Sequence, residues 1–436
     1  MENEALASYF QQGEKKEKDF CQGIEWELFV VDSESFKQIP YDGKHGVADL
    51  LRKLGKELKL EPKLDKVNSS LIGLSNSNYS ITLEPGGQIE LSGSKFKKLK
   101  DAEKECRMFL GVLKDVCRKW KLSVMPAPYH PLAKVEEIPT IPKTRYAFLE
   151  KYFQLYGLSL AEHMTKLTAS IQTSIDFSSE ADFVKKLRVI NLISPILSAI
   201  YANSPIVRNK KSSYISYRGN VWQHTEGIRS GLVKGIFSES FGYREHAENL
   251  ARLPVVEGLN GEKPGTLVGM SFKKYVEKTG RFLPKWWENH ISFAYTVVRA
   301  KKFIEIRCFD NQNSIERALS IPALIKGLFY SSEEIIDGAA AISEKFESSD
   351  FFQIKHAVDR YGLATIWKGS SILEMAQEIY SLSLKGLEEF HPKETKYLQP
   401  VGEILFVDKK SPGQRVADFW ERRGKSVYNM KDIYFI

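Results

Sequence analysis

Glu84, Gln88, Glu90 and Ser92 all fall on even positions of ITLEPGGQIELSGS, residues 81–94, around a Pro85-Gly86-Gly87 bend. Side chains alternate faces along a strand, so Gln88, Glu90 and Ser92 share one face and Ile89 and Leu91 the other. One such strand is satisfied by a solvated polar surface. The pattern recurs, however. Glu25 and Glu27 stand two apart in GIEWELF, with Trp26 and Leu28 opposite. Gln172, Ser174 and Asp176 share a face of IQTSID, and Glu305 and Arg307 alternate with Ile304 and Ile306 in FIEIR. Four strands that each carry one apolar face and one face of carboxylates, amides or arginine fit a polar concavity better than four solvated surfaces. Glutamates converging there need counter-charge to stay ionised. Hard oxygen ligands suit magnesium or manganese, and magnesium sites commonly include substrate phosphates. The pattern therefore points to a metal–phosphate site.

Other chemistries lack their motifs. No GxxxxGK[ST] occurs and no GxGxxG opens a helix after a strand, so a bound nucleotide must be held by a metal-decorated sheet. There is no nucleophile elbow and no zincin motif. The segment SYRGNVWQHTEGIRSG, residues 216–231, offers Arg218, Trp222 and Arg229. A guanidinium fork suits carboxylate or phosphate, but taken alone this segment reads as a surface loop with ordinary basic residues. His290, in WWENH just before a strand expected from Ser292, fits a structural hydrogen bond as well as a ligand role.

The elements that must position these residues sit in a chain of 436 residues, 42% hydrophobic and 27% charged, ordinary globular composition with a sizeable core. The net charge of +8 is scattered, which fits solvated helix faces first and anionic ligands second. Cys21, Cys106, Cys117 and Cys308 have neither CxxC nor metal-type spacing, so a reducing compartment is expected. Residues 1–22 are charged rather than signal-like, and no run approaches the roughly 18 apolar residues of a membrane span, which makes the cytoplasm the expected location.

Periodicity predicts a polar N-terminal extension at 1–20, a strand at 23–32, a helix at 46–58, a strand pair at 79–93 and a helix at 98–121. A strand at 122–129, a helix at 145–155 and a strand at 169–177 follow, the last leading into a helix capped by Ser178 or Ser179. Strands at 292–299 and 303–308 form a pair, and 314–436 is mainly helical, with helices at 314–330, 332–346, 372–389 and 412–423. Early clustered strands without βαβ alternation indicate an α+β fold with a mainly antiparallel sheet and surrounding helices. No domain boundary is visible.

GIEWEL, EPGGQIELSG, IQTSIDFSSEAD, YANSP, YRGNVW, WWENH and FIEIR together resemble the plant and proteobacterial type of glutamate–cysteine ligase, within the glutamine-synthetase-like carboxylate–amine ligases. The resemblance runs from about Gly23 to the helix SPGQRVADFW. It implies a single catalytic domain over residues 1–436, with a six-stranded antiparallel sheet forming a funnel-like active site. It also implies an ATP-dependent reaction in which the γ-carboxylate of glutamate becomes an acyl phosphate and the amine of cysteine attacks it, the first step of glutathione biosynthesis. Glu25, Glu27, Glu84, Glu90 and Glu305 then stand where the family keeps its metal-binding glutamates, for magnesium or manganese. Arg307, beside Glu305, would steady the transferred phosphoryl group, with Gln172 and His290 also on the nucleotide side. Arg218 and Arg229 would hold substrate carboxylates, and Trp222 would wall that pocket.

Several positions depart from the plant pattern. GIEWE replaces GTEHE, Ser174 replaces asparagine, RCFDNQN replaces RGADGG, and His163 sits near a plant aspartate. These leave ATP and glutamate activation in place and bear on the acceptor amine, so a sibling ligase with another acceptor is the alternative to cysteine. The expected partners are glutamate, cysteine and ATP, with no nucleic acid and no membrane, acting on a monomer or homodimer. A polyanion- or nucleic-acid-binding protein is the reading from another class, but no RNA-recognition signature or basic–aromatic interleaving supports it.

Overall fold

The computed structural model describes residues 2–258, 261–263, 265–267, 269–343, 346 and 348–436. Its centre is the long strand β1 (Gln22–Asp32), whose alternation of Ile24, Trp26 and Leu28 against Glu25 and Glu27 lets one face bury while the other stays polar. The other strands of its sheet are β2 (Glu61–Leu64), β3 (Leu71–Ser75), β4 (Ser80–Leu83), β5 (Ile89–Ser92), β6 (Leu122–Met125), β7 (Ile171–Ile175), β8 (Val298–Ala300) and β9 (Ile304–Ile306). They run in the order β8-β9-β7-β1-β5-β4-β3-β2, with β6 paired to the far half of β1. Every pairing is antiparallel.

The sheet has nine strands rather than the six expected. The difference lies partly at one edge, where β2 is fully exposed and so lacks the burial pattern that marks a strand in sequence. The expected strand at 292–299 is also divided: Tyr295–Thr296 pairs in parallel with Ser230–Gly231, and only Val298–Ala300 joins the main sheet. His290 belongs to the helix Pro284–Ile291.

Register decides which side chains meet. Glu25 lies opposite Ser92 on one side and Gln172 on the other, while Glu27 lies opposite Glu90. Thr82 lies opposite Glu90, and Glu305 opposite both Ser174 and Arg299. Directly paired residues share a face, so the polar sets of the separate strands merge into one surface. Behind it Trp26, Ile89, Leu91, Ile171, Ile175, Ile304 and Ile306 are buried in a core that gathers residues from Leu6 to Leu405. The helices Val47–Leu58, Leu99–Lys119 and Ile315–Phe329 pack on the sheet's strands. A buried hydrogen bond from Trp26 Nε1 to Asn311 Oδ1 (2.8 Å) ties β1 to the segment after β9, and Asn311 Nδ2 returns a bond to the Glu27 carbonyl.

The N-terminal segment is no polar extension. Its helix Glu2–Gln11 buries Leu6, Tyr9 and Phe10 and packs on the helix Tyr243–Ala251. Three buried apolar residues in ten are enough to dock it, though too few to mark it in a charged sequence. Ser179 caps the helix Glu180–Tyr201 by accepting from the Asp182 N–H at 3.2 Å.

The Pro-Gly-Gly bend joins β4 to β5 tightly. The Glu84 N–H donates to the Gln88 carbonyl (3.1 Å) and the Gly87 N–H to the Glu84 carbonyl (2.8 Å), with Gly87 at φ +85°. Gly86 presses on the neighbouring chain, since a Cβ there would lie 2.5 Å from the Lys166 carbonyl oxygen. Gln88 leaves the open face: it is buried, and its Nε2 donates to the carbonyls of Thr168 (2.8 Å) and Thr165 (3.3 Å). Gly86→Ala should therefore cost about 2 kcal/mol, as overpacking against backbone does. Gly111→Ala, where nothing lies within 4 Å, should leave stability unchanged or raise it. Urea midpoints of the two variants check this, and equal midpoints would show that the Lys166 segment yields without cost.

Candidate active site

The four glutamates of β1, β4–β5 and the bend are neighbours across the polar face. Glu27 Oε2 accepts from the Ser170 N–H (2.7 Å) and Oε1 from Gln172 Nε2 (2.9 Å). Glu90 Oε1 accepts from Thr82 (2.6 Å) and Ser92 (2.5 Å). The carboxylates of Glu25 and Glu84 accept no hydrogen bond among the described residues. Burial, then Glu305 and Glu90, pushes the Glu25 carboxyl up to about 7. Burial, then Glu84 and Glu90, pushes Glu27 up to about 8. Glu90 is raised as well, by burial and then by Glu84. This half of the face carries more negative charge than its surroundings neutralise.

Glu305 is the opposite case. Burial would raise its carboxyl, but Arg299, Lys301 and Arg307 outweigh that and hold it well below the usual carboxylate range. Arg299 grips it with two bonds, Nε to Oε2 at 2.9 Å and Nη2 to Oε1 at 2.7 Å. Lys301 Nζ stands 3.1 Å from Oε2, and Arg307 Nη1 donates to Oε1 at 2.5 Å. With both oxygens engaged by cations, Glu305 has no free lone pair to offer a metal in this arrangement, contrary to the sequence expectation. It positions Arg307, whose Nη1 also donates to Gln172 Oε1 at 2.7 Å. Arg299 and Lys301 were not legible as site residues: in VVRAKKF they resemble ordinary surface charges, and only the β8–β9 turn folds them onto Glu305. A cleft of about 150 Å³ opens beside this cluster, lined by Glu25, Ser92, Gln172, Ser174, Asp176 and Glu305 among others.

On the other flank, Trp222 lies between two arginines, with the guanidinium carbons of Arg218 and Arg307 each 5.2 Å from its ring. Both arginines are buried, and the Nε atoms of both have no partner among the described residues. Arg218 Nη2 donates to the Arg307 carbonyl (3.1 Å) and its Nη1 lies 3.7 Å from Asp310. Asp310 accepts from the Asn203 N–H (2.8 Å) and from the hydroxyls of Ser204 (2.9 Å) and Ser216 (3.0 Å). YANSP, SYRGNVW and RCFD thus meet at one buried carboxylate.

Two expected site residues face elsewhere. Arg229 is buried and spends its guanidinium on the Tyr152 hydroxyl (3.0 Å) and on the carbonyls of Phe293 and Pro254, which makes it a brace of its loop. His290 donates its Nε2–H to the Leu250 carbonyl (2.9 Å) and stacks on Phe272 at 4.6 Å. Burial pushes its imidazole down to about 3, so it packs as a neutral ring in an aromatic core. Lys143 is a cation that sequence reading missed: burial lowers it, while Glu84 and Glu90 pull it back up.

Residues 21–419 match the model of glutamate–cysteine ligase family 2. The chain belongs to that family. It is 28% identical over 408 residues to a chloroplastic glutamate–cysteine ligase of Brassica juncea, covering 92% of this chain and 78% of the relative. It is 29% identical over 427 residues to chloroplastic glutamate–cysteine ligase B of Oryza sativa subsp. japonica, covering 96% and 84%. The fold is similar to a crystal structure of a glutamate–cysteine ligase from Francisella tularensis in complex with AMP, with a TM-score of 0.59 at 12% identity, covering 95% of this chain and 87% of the other.

Among the described residues no three His, Cys, Asp or Glu stand close enough to hold one metal ion. The donor set still fits magnesium, which is commonly bound through one or two carboxylates and completed by substrate phosphates and water. All four donors are carboxylates, and the raised carboxyls of Glu25, Glu27 and Glu90 mark a place where a cation is favoured.

That charge excess has a signature in stability. A carboxyl with a folded pKa above its unfolded value keeps a proton that the unfolded chain has lost, so rising pH removes stability until the folded pKa is passed. The buried neutral His130, His246 and His290 act oppositely, but only below their ordinary value of 6.5. The metal-free protein should therefore lose melting temperature between about pH 6.5 and 8, and Glu27→Gln should flatten that loss. Parallel slopes for wild type and variant, followed by calorimetry, would contradict the assignment of the charge to Glu27.

Proposed function

We propose that this protein catalyses the ATP-dependent joining of the γ-carboxylate of glutamate to the amine of cysteine, giving γ-glutamylcysteine, ADP and phosphate. The observation that carries this reading is the two-sided polar sheet face in a chain of the glutamate–cysteine ligase family: an uncompensated carboxylate half beside an arginine held by Glu305. In the first step a γ-carboxylate oxygen attacks the terminal phosphorus of ATP and ADP leaves. In the second the amine nitrogen attacks the acyl carbon, loses a proton and expels phosphate. Phosphoryl transfer asks the protein for positioning and charge neutralisation more than for a nucleophile.

Arg307 aims its guanidinium at the transferred phosphoryl group, kept in place by Glu305 and Gln172. Glu25, Glu27, Glu84 and Glu90 would hold magnesium or manganese, which neutralises the phosphates when bound. Arg218, with a free Nε and the Trp222 ring beside it, takes a carboxylate of glutamate. The polar face then floors a funnel-like site, and residues 1–436 act as one catalytic domain, as a monomer or homodimer. No thiol of the protein takes part, and burial pushes Cys308, next to Arg307, up to about 12. The matched relatives are named chloroplastic, but for this chain we keep the cytoplasm, a reducing compartment suited to its free cysteines. No helix among the described residues is long and apolar enough to cross a membrane.

The test is incubation with ATP, magnesium and glutamate against a panel of amines, with products identified by mass. Cysteine should give the fastest turnover, and a different preferred amine would move the chain to a sibling activity. Glu25→Gln should lower kcat by at least about a hundredfold while the melting temperature hardly falls. Arg218→Ala should raise the KM for glutamate at least about tenfold, as loss of a donor to a desolvated carboxylate does, and leave that for ATP nearly unchanged. An equal rise for both substrates would assign Arg218 to the phosphates instead.

A further inference from the structure

A cavity larger than the carboxylate cleft opens elsewhere in the described structure. It holds about 680 Å³, a volume suited to a small organic molecule, and lies between the loop at 227–238 and the helix Tyr243–Ala251. Its lining is mostly apolar, with Ile228, Phe237 and Phe352 exposed at 60%, 37% and 56%. Its charged residues share one sign: Arg229, Lys234, Arg252 and Arg299 line it, and no Asp or Glu does among the described residues. Arg229 and Arg299 are engaged elsewhere, whereas Lys234 and Arg252 are exposed, with Arg252 only loosely paired to Glu248 at 3.9 Å.

A second feature points to a ligand. His246 lines this cavity, is 96% buried (4% exposed), and has no hydrogen-bond partner at either ring nitrogen among the described residues. The buried hydroxyl of Ser230, also in the lining, has none either. Buried polar groups are nearly always paired, so two partnerless ones on one cavity wall leave recognition unused. The rings of Phe10, Phe183 and Phe241 around His246 hold it in place without satisfying it.

We infer that this cavity is a second ligand site, separate from the substrate cleft, for a small organic anion with an apolar body, and that its occupancy is felt at Glu305. The body fills the apolar lining, a polar atom meets His246 and Ser230, and the negative group lies toward Lys234 and Arg252. The link to catalysis is Arg299, which lines the cavity and also grips Glu305 with two bonds.

The test uses 8-anilinonaphthalene-1-sulfonate and N-phenyl-1-naphthylamine, the same ring system without the sulfonate, titrated into the full chain by fluorescence. The sulfonate should bind once per chain, at least tenfold tighter than the uncharged probe, and persist in saturating magnesium and ATP. Asn249→Trp, which puts a ring into the cavity, should weaken both probes at least tenfold. Lys234→Glu with Arg252→Glu, both on the surface, should abolish the preference for the sulfonate while the uncharged probe still binds. Bound sulfonate should also change γ-glutamyl ligation at least twofold, and this change should vanish in Asn249→Trp. The turnover arm rests on the ligase reading and the binding arm does not, so failure of turnover in the absence of dye identifies a failure of that reading. Equal affinity for the two probes, binding indifferent to either variant, displacement by ATP, dye that binds without altering turnover, or a dimer in sedimentation that excludes the dye would each overturn the inference.

Discussion

Like charge placed on one sheet face is the constraint on which the rest of this structure turns. Antiparallel register sets Glu27 directly opposite Glu90 and brings Glu25 onto the same face, where cross-strand carboxylates repel. A solvated sheet would spread that charge into water. Here burial forbids it, and the carboxyls respond by holding protons into the neutral range. Two strands away the same face solves the same problem differently, by surrounding Glu305 with Arg299, Lys301 and Arg307. One half is neutralised by the protein and the other is left for a ligand to neutralise. On the reading proposed above, that ligand is a metal-bound nucleotide with its transferring phosphate between the halves.

Holding repelling groups in register requires a stiff support. Trp26 and Asn311 lock β1 from behind, and Asn311 returns a hydrogen bond to the backbone of Glu27 itself. Gln88 pins the bend that carries Glu84 to the Thr165–Thr168 segment. Asp310 gathers Arg218, Ser204, Ser216 and the Asn203 backbone, so the arginine flank is fixed by a buried network centred on one carboxylate. Trp26 and Gln88 sit in motifs that carry the family resemblance, whereas Asp310 and Asn311 stand in RCFDNQN, where the chain departs from the plant pattern. The motifs therefore encode the geometry of the face as much as the residues that touch substrate.

The sequence made the face legible because alternation is a local property. Two-residue spacing in four strands was enough to place Glu25, Glu27, Glu90 and Gln172 together; the strands at 79–93 and 169–177 contain those observed, and that at 23–32 misses only the first residue of β1. What depends on tertiary neighbours was not legible. Arg229 and Arg218 look alike in sequence, yet one meets backbone carbonyls and the other keeps an open Nε. His290 beside Glu288 and Asn289 looked available, but it turns into an aromatic core. Glu305 read as one more metal glutamate because two of its three cations, Arg299 and Lys301, come from a neighbouring strand and turn whose folding no spacing reveals. The edge strand β2 escaped notice because exposure on both faces erases the alternation that identifies a strand.

Proton release tests the central claim most directly. If the uncompensated half of the face is the metal–phosphate site, binding of preformed magnesium–ADP must drive off the protons held by Glu25 and Glu27. Calorimetry in buffers of different ionisation enthalpy counts them. With carboxyls near 7 and 8, the account predicts that about one to two protons are released per chain at pH 7, with close to none at pH 9. Glu27→Gln should remove most of one. Binding at pH 7 with no proton release, or release unchanged in Glu27→Gln, would contradict the account.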